Sequence, residues 1–248
     1  MRALLKICGL GVSVLIAVGA LSGCATAPDD TLTENRDPYE NTNRKVFAFN
    51  TKVDDYVYEP AAKAYLKLPD RGQMMLTNFA NWTSLPSTAV NSSFQGDVEN
   101  AAIGTFEFLI NGLTLGFADL TGDKDTPRRT NFDDTLSFYN VGQGSYVVLP
   151  LYGSGTVRSH SAFFVDSITN PLNFAATPAA ANIAAVNTPV RIVTFRGNNF
   201  EYINELKYNS LDSYARTRSI YLQYDDANEI DADENYEDEF NSFIETQE

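Results

Sequence analysis

The sequence predicts a mainly α single domain of short amphipathic helices, joined by extended loops and held against a membrane. Three observations support this. Prolines and glycines cut the body into apolar-periodic segments too short to cross a bilayer. The least polar stretch, Ala101–Leu120, carries one charge, Glu107, before Asp119, yet Gly112 and Gly116 interrupt it as a long helix. The N-terminal apolar run ends on Leu21-Ser22-Gly23-Cys24.

Arg2 and Lys6 followed by the apolar run Ile7–Ala20 form a signal peptide over residues 1–23. Small residues before a cysteine match a lipobox, so Cys24 is expected to carry covalent diacylglyceryl and acyl lipid and no other cofactor. More than one acyl chain makes such an anchor stable. Ala25, in place of aspartate, directs a lipoprotein of this kind to the outer membrane. Cys8 leaves with the signal, so the mature chain has no disulfide, and its stability must come from burial. The remaining length suffices for one sizeable core.

The mature chain would hold 16 basic and 32 acidic residues, and 11 of the acids lie in Asp225–Glu248, which has no Lys or Arg. Nucleic acid is therefore excluded as a partner. This acidic tail, residues 225–248, also carries Tyr236, Phe240, Phe243 and Ile244. It reads either as a disordered solvating segment or as a dock for a basic soluble partner.

Residues 24–36, polar and containing Pro28, Asp29, Asp30 and Glu34, form a tether to a body spanning residues 37–224. Asp37-Pro38-Tyr39-Glu40 predicts a helix start with Asp37 as cap, and Val46, Phe47, Val53 and Val57 mark one face to about Tyr58. Pro60 is expected to open a second helix, stopped before Pro69. Met75, Leu76, Phe79 and Trp82 mark a third helix, and Pro86 and Gly96 bracket a fourth. In the central stretch Val98, Ala102, Phe106, Leu109, Ile110 and Leu113 share one helical face, followed by a glycine bend and a second short apolar segment. Such an element lies in or against a membrane, or forms the core helix of a soluble domain; periodicity allows both.

Thr121–Asn131 reads as a polar turn. Phe138–Gly155 reads as extended packed loop, because Pro150 argues against an interior strand. Ser161–Thr169 is helical. Ser167–Val190 has no charge, but Pro171, Pro178 and Pro189 break it, and Thr177 and Thr188 are each placed to cap a new helix. A last helix runs through Leu211–Tyr224.

No pattern of enzyme chemistry stands out. His160 is the only histidine and sits in Arg158-Ser159-His160-Ser161, a helix-start context. There is no GxSxG elbow, no phosphate-binding glycine loop and no paired His or Cys ligands for a metal. Asp133-Asp134 beside Phe132 reads as a helix start.

Several stretches in matching order resemble one family. Asp37-Pro38-Tyr39-Glu40-Asn41-Thr42-Asn43-Arg44, Phe94-Gln95-Gly96, Phe108-Leu109-Ile110-Asn111, Gly142-Gln143-Gly144-Ser145-Tyr146, Leu149-Pro150-Leu151-Tyr152-Gly153 and Leu211-Asp212-Ser213-Tyr214 are similar to the MlaA (VacJ) lipoproteins. The chain departs from that pattern at Glu107, where the family has arginine, at Asp133-Asp134, and in a shortened segment after Gly116. The resemblance implies a ring-like helical domain in the inner leaflet of the outer membrane. Misplaced outer-leaflet phospholipids would pass through its polar channel to a soluble periplasmic lipid carrier (MlaC-like), with a trimeric porin as neighbour. On that implication Glu107, Asn111 and Asp119 become candidates for the lipid path, and Gly112 and Gly116 for a hinge. Structural alternatives are that Asn111 caps its helix and that Asp119 pairs with Lys124 or Arg128. The runner-up function is a non-transporting adaptor acting through the acidic tail.

Overall fold

The computed structural model describes residues 36–122, 126–170, 172 and 178–227. The signal peptide, Cys24 and most of the acidic tail lie outside them. The described residues form one helical domain with a single two-stranded hairpin.

Helix α1 (Glu40–Val53) runs without a break through a π-helical turn (Asp54–Tyr58) into α2 (Glu59–Leu66). Pro60 therefore opens no separate helix. The wider π turn just ahead of it lets the chain accommodate the missing N–H and the ring. Asp37 does not cap α1 either. Its carboxylate accepts from Asn43 Nδ2 (2.7 Å), Arg218 (2.9 Å) and the Tyr214 hydroxyl. These partners, one of them charged, hold it more strongly than a helix terminus would.

Helices α3 (Asp70–Trp82), α4 (Leu85–Phe94) and α5 (Val98–Gly112) follow, each begun where a proline or cap predicts. Asp97 caps α5 through Asn100 N at 2.9 Å. The two adjacent acids do start a helix, α6 (Phe132–Phe138), with Asn131 and Asp134 closing a capping box.

The glycine-rich segment forms strands rather than loop. β1 (Tyr146–Leu149) pairs antiparallel with β2 (Gly153–Thr156), and Pro150 ends β1 instead of interrupting it. Leu151 in the connection has φ +67°. The exposed edge of β1 is covered by side chains of α1. Asn43 bonds Tyr146 O and Val148 N (3.1 and 2.9 Å), and Asn50 bonds Leu149 O and Leu151 N (2.9 and 2.8 Å). Seven residues apart, the two asparagines share a helix face and satisfy strand groups that would otherwise invite another strand.

Helix α7 (Val157–Thr169) starts at a Thr156–Ser159 capping box. Helix α8 (Pro178–Asn198) is continuous through Pro189, so Thr188 caps nothing, and Thr177 lies outside the described residues. Contacts on both sides of Pro189 keep it helical: Ile183 and Val190 pack on α3, and Asn187 Oδ1 accepts from Thr83 Oγ1 at 2.7 Å. A short helix α9 (Phe200–Tyr208), which periodicity does not predict, precedes α10 (residues 213–227). Asp225 and Asp226 belong to α10, not to a tail. Asp225 is buried 3.9 Å from Arg158, and Asp226 bonds Arg36 at 2.8 Å, which also fixes the end of the tether.

Packing closes on itself as a circuit. It runs α1, β1, β2, α7, α6, α4, α5, α3, α8, α2, and through the π turn back to α1. Among the described residues the buried apolar side chains fall into separate clusters. One apolar cluster (Phe79, Trp82, Leu85) sits at α3/α4, and another (Tyr146, Val148, Tyr214) at the hairpin and α10. A charged staple fastens α9 to the π turn, where Lys207 Nζ lies 2.7 Å from Asp54 and 3.1 Å from Glu59 and also meets Asp55. The ammonium occupies the place that those three carboxylates would give a metal ion.

The two candidate hinge glycines, Gly112 and Gly116, differ in their surroundings. Gly112, the last residue of α5, faces the Trp82 indole with room to spare: a Cβ there would lie 3.6 Å from the ring. Gly116 has φ +75°, and a Cβ there would fall 2.5 Å from Trp82 Cβ. Gly116 thus lets the chain turn tightly against Trp82, which stacks on Phe108 at 5.2 Å and donates to Phe108 O at 2.9 Å. Gly116→Ala should destabilise the domain by about 2–4 kcal/mol and Gly112→Ala by under about 1 kcal/mol in thermal unfolding of the detergent-solubilised protein. Equal effects would contradict this packing.

Candidate functional site

Helix α5 is inside out by the standard of a soluble domain. Its apolar stripe, Val98, Phe106, Leu109 and Leu113, is exposed (75, 62, 62 and 78 %). Its buried face is Asn100, Gly104, Glu107 and Asn111. The same inversion holds elsewhere: among the described residues buried polar and charged side chains outnumber buried apolar ones, while Phe163, Phe164, Ile168, Phe195 and Leu211 are exposed. A water-soluble core reverses this distribution.

The two inward asparagines of α5 are hydrogen-bonded. Asn100 Nδ2 bonds Ser92 Oγ (2.7 Å) and Arg128 O (2.9 Å), and its Oδ1 accepts from Arg128 N (2.8 Å). Asn111 Oδ1 accepts from Leu120 N at 2.7 Å, and Gly116 N bonds Asn111 O at 2.9 Å. Asn111 thus organises the chain reversal after α5. Asp119, exposed, accepts from the Thr121 hydroxyl and amide (2.8 and 3.0 Å), and that hydroxyl first of all holds its carboxyl below the ordinary range. Lys124 lies outside the described residues, and Arg128 pairs with Asp97 at 3.4 Å rather than with Asp119.

Glu107 is 8 % exposed, and its nearest cation is Arg129, 4.0 Å away. Burial pushes the Glu107 carboxyl up, Arg129 pulls it down and Asp119 adds a further push. Arg129 donates to Asn81 O at 2.7 Å and to Ser84 Oγ at the α3–α4 junction. Arg191 on α8 is exposed, one turn beyond Asn187, which bonds the neighbouring Thr83. Burial lowers the pKa of both arginines although each keeps solvent-accessible surface. Glu107 and Arg129 thus form a loose charge pair at 4.0 Å beside the α3–α4 junction. Of these, the sequence reading singles out Glu107 alone.

His160 does not assemble a catalytic group. Burial lowers its pKa, its ring nitrogen meets Val147 O at 3.1 Å, and Ser159 closes the cap of α7.

The family profile described as MlaA lipoprotein matches residues 35–228, the whole of the described body. The chain belongs to the MlaA lipoprotein family. Its relatives include the Escherichia coli (strain K12) protein named intermembrane phospholipid transport system lipoprotein MlaA, 29 % identical over 239 residues, covering 91 % of this chain and 88 % of that one. A Rickettsia bellii protein is 33 % identical over 197 residues, covering 75 and 74 %. A solved structure described as the structural basis for maintenance of bacterial outer membrane lipid asymmetry matches with TM-score 0.64 and 30 % identity, covering 78 % of this chain and 98 % of that one. The MlaA family thus accounts for the mainly helical single domain. Among the described residues of this MlaA-family chain, no helix is long and apolar enough to cross a membrane.

Ionising Glu107 costs more in the fold than in the unfolded chain. Stability is therefore lost as pH rises from the ordinary carboxylate value of 4.5 through the raised folded value, and the whole penalty is present above both. Glu107→Gln should raise the melting temperature at pH 7, with the gain shrinking as pH falls towards 4. A lowered melting temperature at pH 7 would show that the Arg129 pair outweighs burial.

Proposed function

We propose that this chain is an outer-membrane lipoprotein that removes misplaced phospholipids from the outer leaflet and hands them to a soluble periplasmic carrier. Acyl chains on Cys24 would anchor it, and the helical circuit would lie among inner-leaflet lipids beside a trimeric porin. The observation that carries the reading is the inverted helix α5, with Phe106, Leu109 and Leu113 outward and Asn100, Glu107 and Asn111 inward. An exposed apolar stripe of this length loses about 25 cal/mol for each Å² left in water, so acyl chains are its natural surroundings.

The inward face meets the opposite need. A phospholipid head group crossing an apolar layer loses its hydration, at several kcal/mol for each unsatisfied polar group. A path offering polar groups, for which Glu107, Asn111 and Asp119 are the candidates, would replace that hydration. The names of the relatives, a phospholipid transport lipoprotein and a structure concerned with lipid asymmetry, support the same assignment. The chemistry is transfer without bond breaking, which needs no catalytic residue and leaves His160 to its structural contact.

The test is the outer-leaflet phospholipid of cells lacking this protein. Deletion should raise it, wild type should restore the barrier, and both Cys24→Ala and the double variant Phe106→Asp/Leu109→Asp should fail to. An unchanged outer leaflet on deletion would overturn the transport reading.

A further inference from the structure

We infer that the cleft between α5 and the chain at Thr121 receives a primary ammonium, the amine of an ethanolamine-type phospholipid head group. This deepens the transport reading and rests on it.

The cleft encloses about 480 Å³ and is lined by Glu99, Ala102, Ile103, Phe106, Glu107 and Thr121. Small-molecule sites occupy about 300–1,000 Å³, so there is room for a head group. The α5 residues recur at three- and four-residue spacing, so one face of the helix forms the wall. That face joins two environments. Ala102 and Phe106 belong to the outward apolar stripe, where Phe106 is 62 % exposed, whereas Glu107 is buried at 8 %. An amphiphile entering from the acyl layer can therefore keep its apolar part against Phe106 and Ile103 while its head group meets a buried carboxylate.

The carboxylates of the cleft lack a matching cation. Among the described residues Glu107 makes no hydrogen bond, and its ion pair is with Arg129 at 4.0 Å. Arg129 is committed to Asn81 O at 2.7 Å and to Ser84 Oγ. Thr121 brings a second carboxylate beside the cleft, since its hydroxyl donates to Asp119 Oδ1 at 2.8 Å. Asp119 Oδ1 also accepts from Gly122 N (3.3 Å) and from Nδ2 of Asn111, one turn beyond Glu107 (3.4 Å). Those donors are all neutral, so they leave the charge of Asp119 unbalanced. Glu99, exposed, makes no ion pair among the described residues. A buried carboxylate without hydrogen bonds costs stability, and an ammonium supplies both the opposite charge and three N–H donors. Burial pushes the Glu107 carboxyl up, and an ammonium beside it would draw it back down. A zwitterionic head group adds no net charge to an acidic cleft, whereas an anionic one is repelled. Asp123, Lys124 and Asp125 lie outside the described residues, and the Lys124 amine is the chain's own competitor for this place.

The experiment uses the mature lipidated protein in detergent micelles and native mass spectrometry. Dioctanoyl phosphatidylethanolamine is the probe and dioctanoyl phosphatidylglycerol the amine-free control, with free ethanolamine and Mg²⁺ tested separately. Wild type should bind phosphatidylethanolamine more tightly than phosphatidylglycerol. Glu107→Gln, which should melt no lower than wild type at pH 7, should weaken phosphatidylethanolamine binding roughly tenfold or more and leave phosphatidylglycerol binding unchanged. Ala102→Trp, which fills the cleft without changing its charge, should do the same. Unchanged phosphatidylethanolamine binding in both variants overturns the proposal. So does binding that appears only in Lys124→Ala, which would assign the cleft to that lysine. Glu107-dependent binding of Mg²⁺ or free ethanolamine without phosphatidylethanolamine also overturns it, in favour of a small-cation site. If the lipid result is negative while deletion still raises outer-leaflet phospholipid, the ammonium site is disproved and transport stands. If deletion has no such effect, the transport reading falls independently of the binding result.

Discussion

The sidedness of helix α5 (Val98–Gly112) governs the rest of the structure. With its apolar stripe outward, every polar group on its inner face must find a partner within the protein or in interior water. That requirement explains why Asn100 is bonded on both sides of its amide, to Ser92 and Arg128, and why Asn111 clamps the returning chain at Leu120. Gly104 on the same face is not forced by space: a Cβ there would meet Thr88 and Pro127 at ordinary contact distance. Glu107 is the exception, a buried carboxylate whose ion pair among the described residues is with Arg129 at 4.0 Å.

Among the described residues the buried apolar side chains fall into separate clusters, so closure of the circuit depends on polar staples. Asn43 and Asn50 fasten α1 to the edge of β1, Asp37 gathers Asn43, Tyr214 and Arg218, and Lys207 draws α9 onto Asp54 and Glu59. Arg196 adds a two-pronged contact to Asp54 (2.8 and 3.2 Å). Hydrogen bonds from Lys63 above all, then from the Tyr208 hydroxyl and Lys207, hold the Glu59 carboxyl down at about 2. These are charge-assisted bonds in partly buried settings, where each geometry excludes alternatives better than an apolar contact would.

What the sequence made legible follows from this division. The starts of α4 and α6 were readable from Pro86 and from Asp133-Asp134, because proline and first-turn acids act locally. The apolar stripe of α5 was readable too, but not its direction: a period of 3.6 is the same whether the stripe meets a core or acyl chains. Pro150 misled because a proline just beyond a strand looks, in sequence, like one within it. Pro60 and Pro189 misled because tertiary packing and a π turn accommodate what local propensity forbids. Asp225 and Asp226 look like tail residues by composition and are anchored by Arg158 and Arg36, more than 60 residues away in each case.

The central claim, that α5 turns its apolar stripe to lipid and its polar face to interior water, is tested most directly by spin labelling. The chain has cysteines only at 8 and 24, so single cysteines can be placed in the body at positions 106, 109 and 113 and at 107 and 111. In lipid vesicles the first set should relax with oxygen, which partitions into acyl chains, and the second with a water-soluble nickel complex. Water accessibility at 106, 109 and 113 would contradict the account and return α5 to the surface of an ordinary soluble domain.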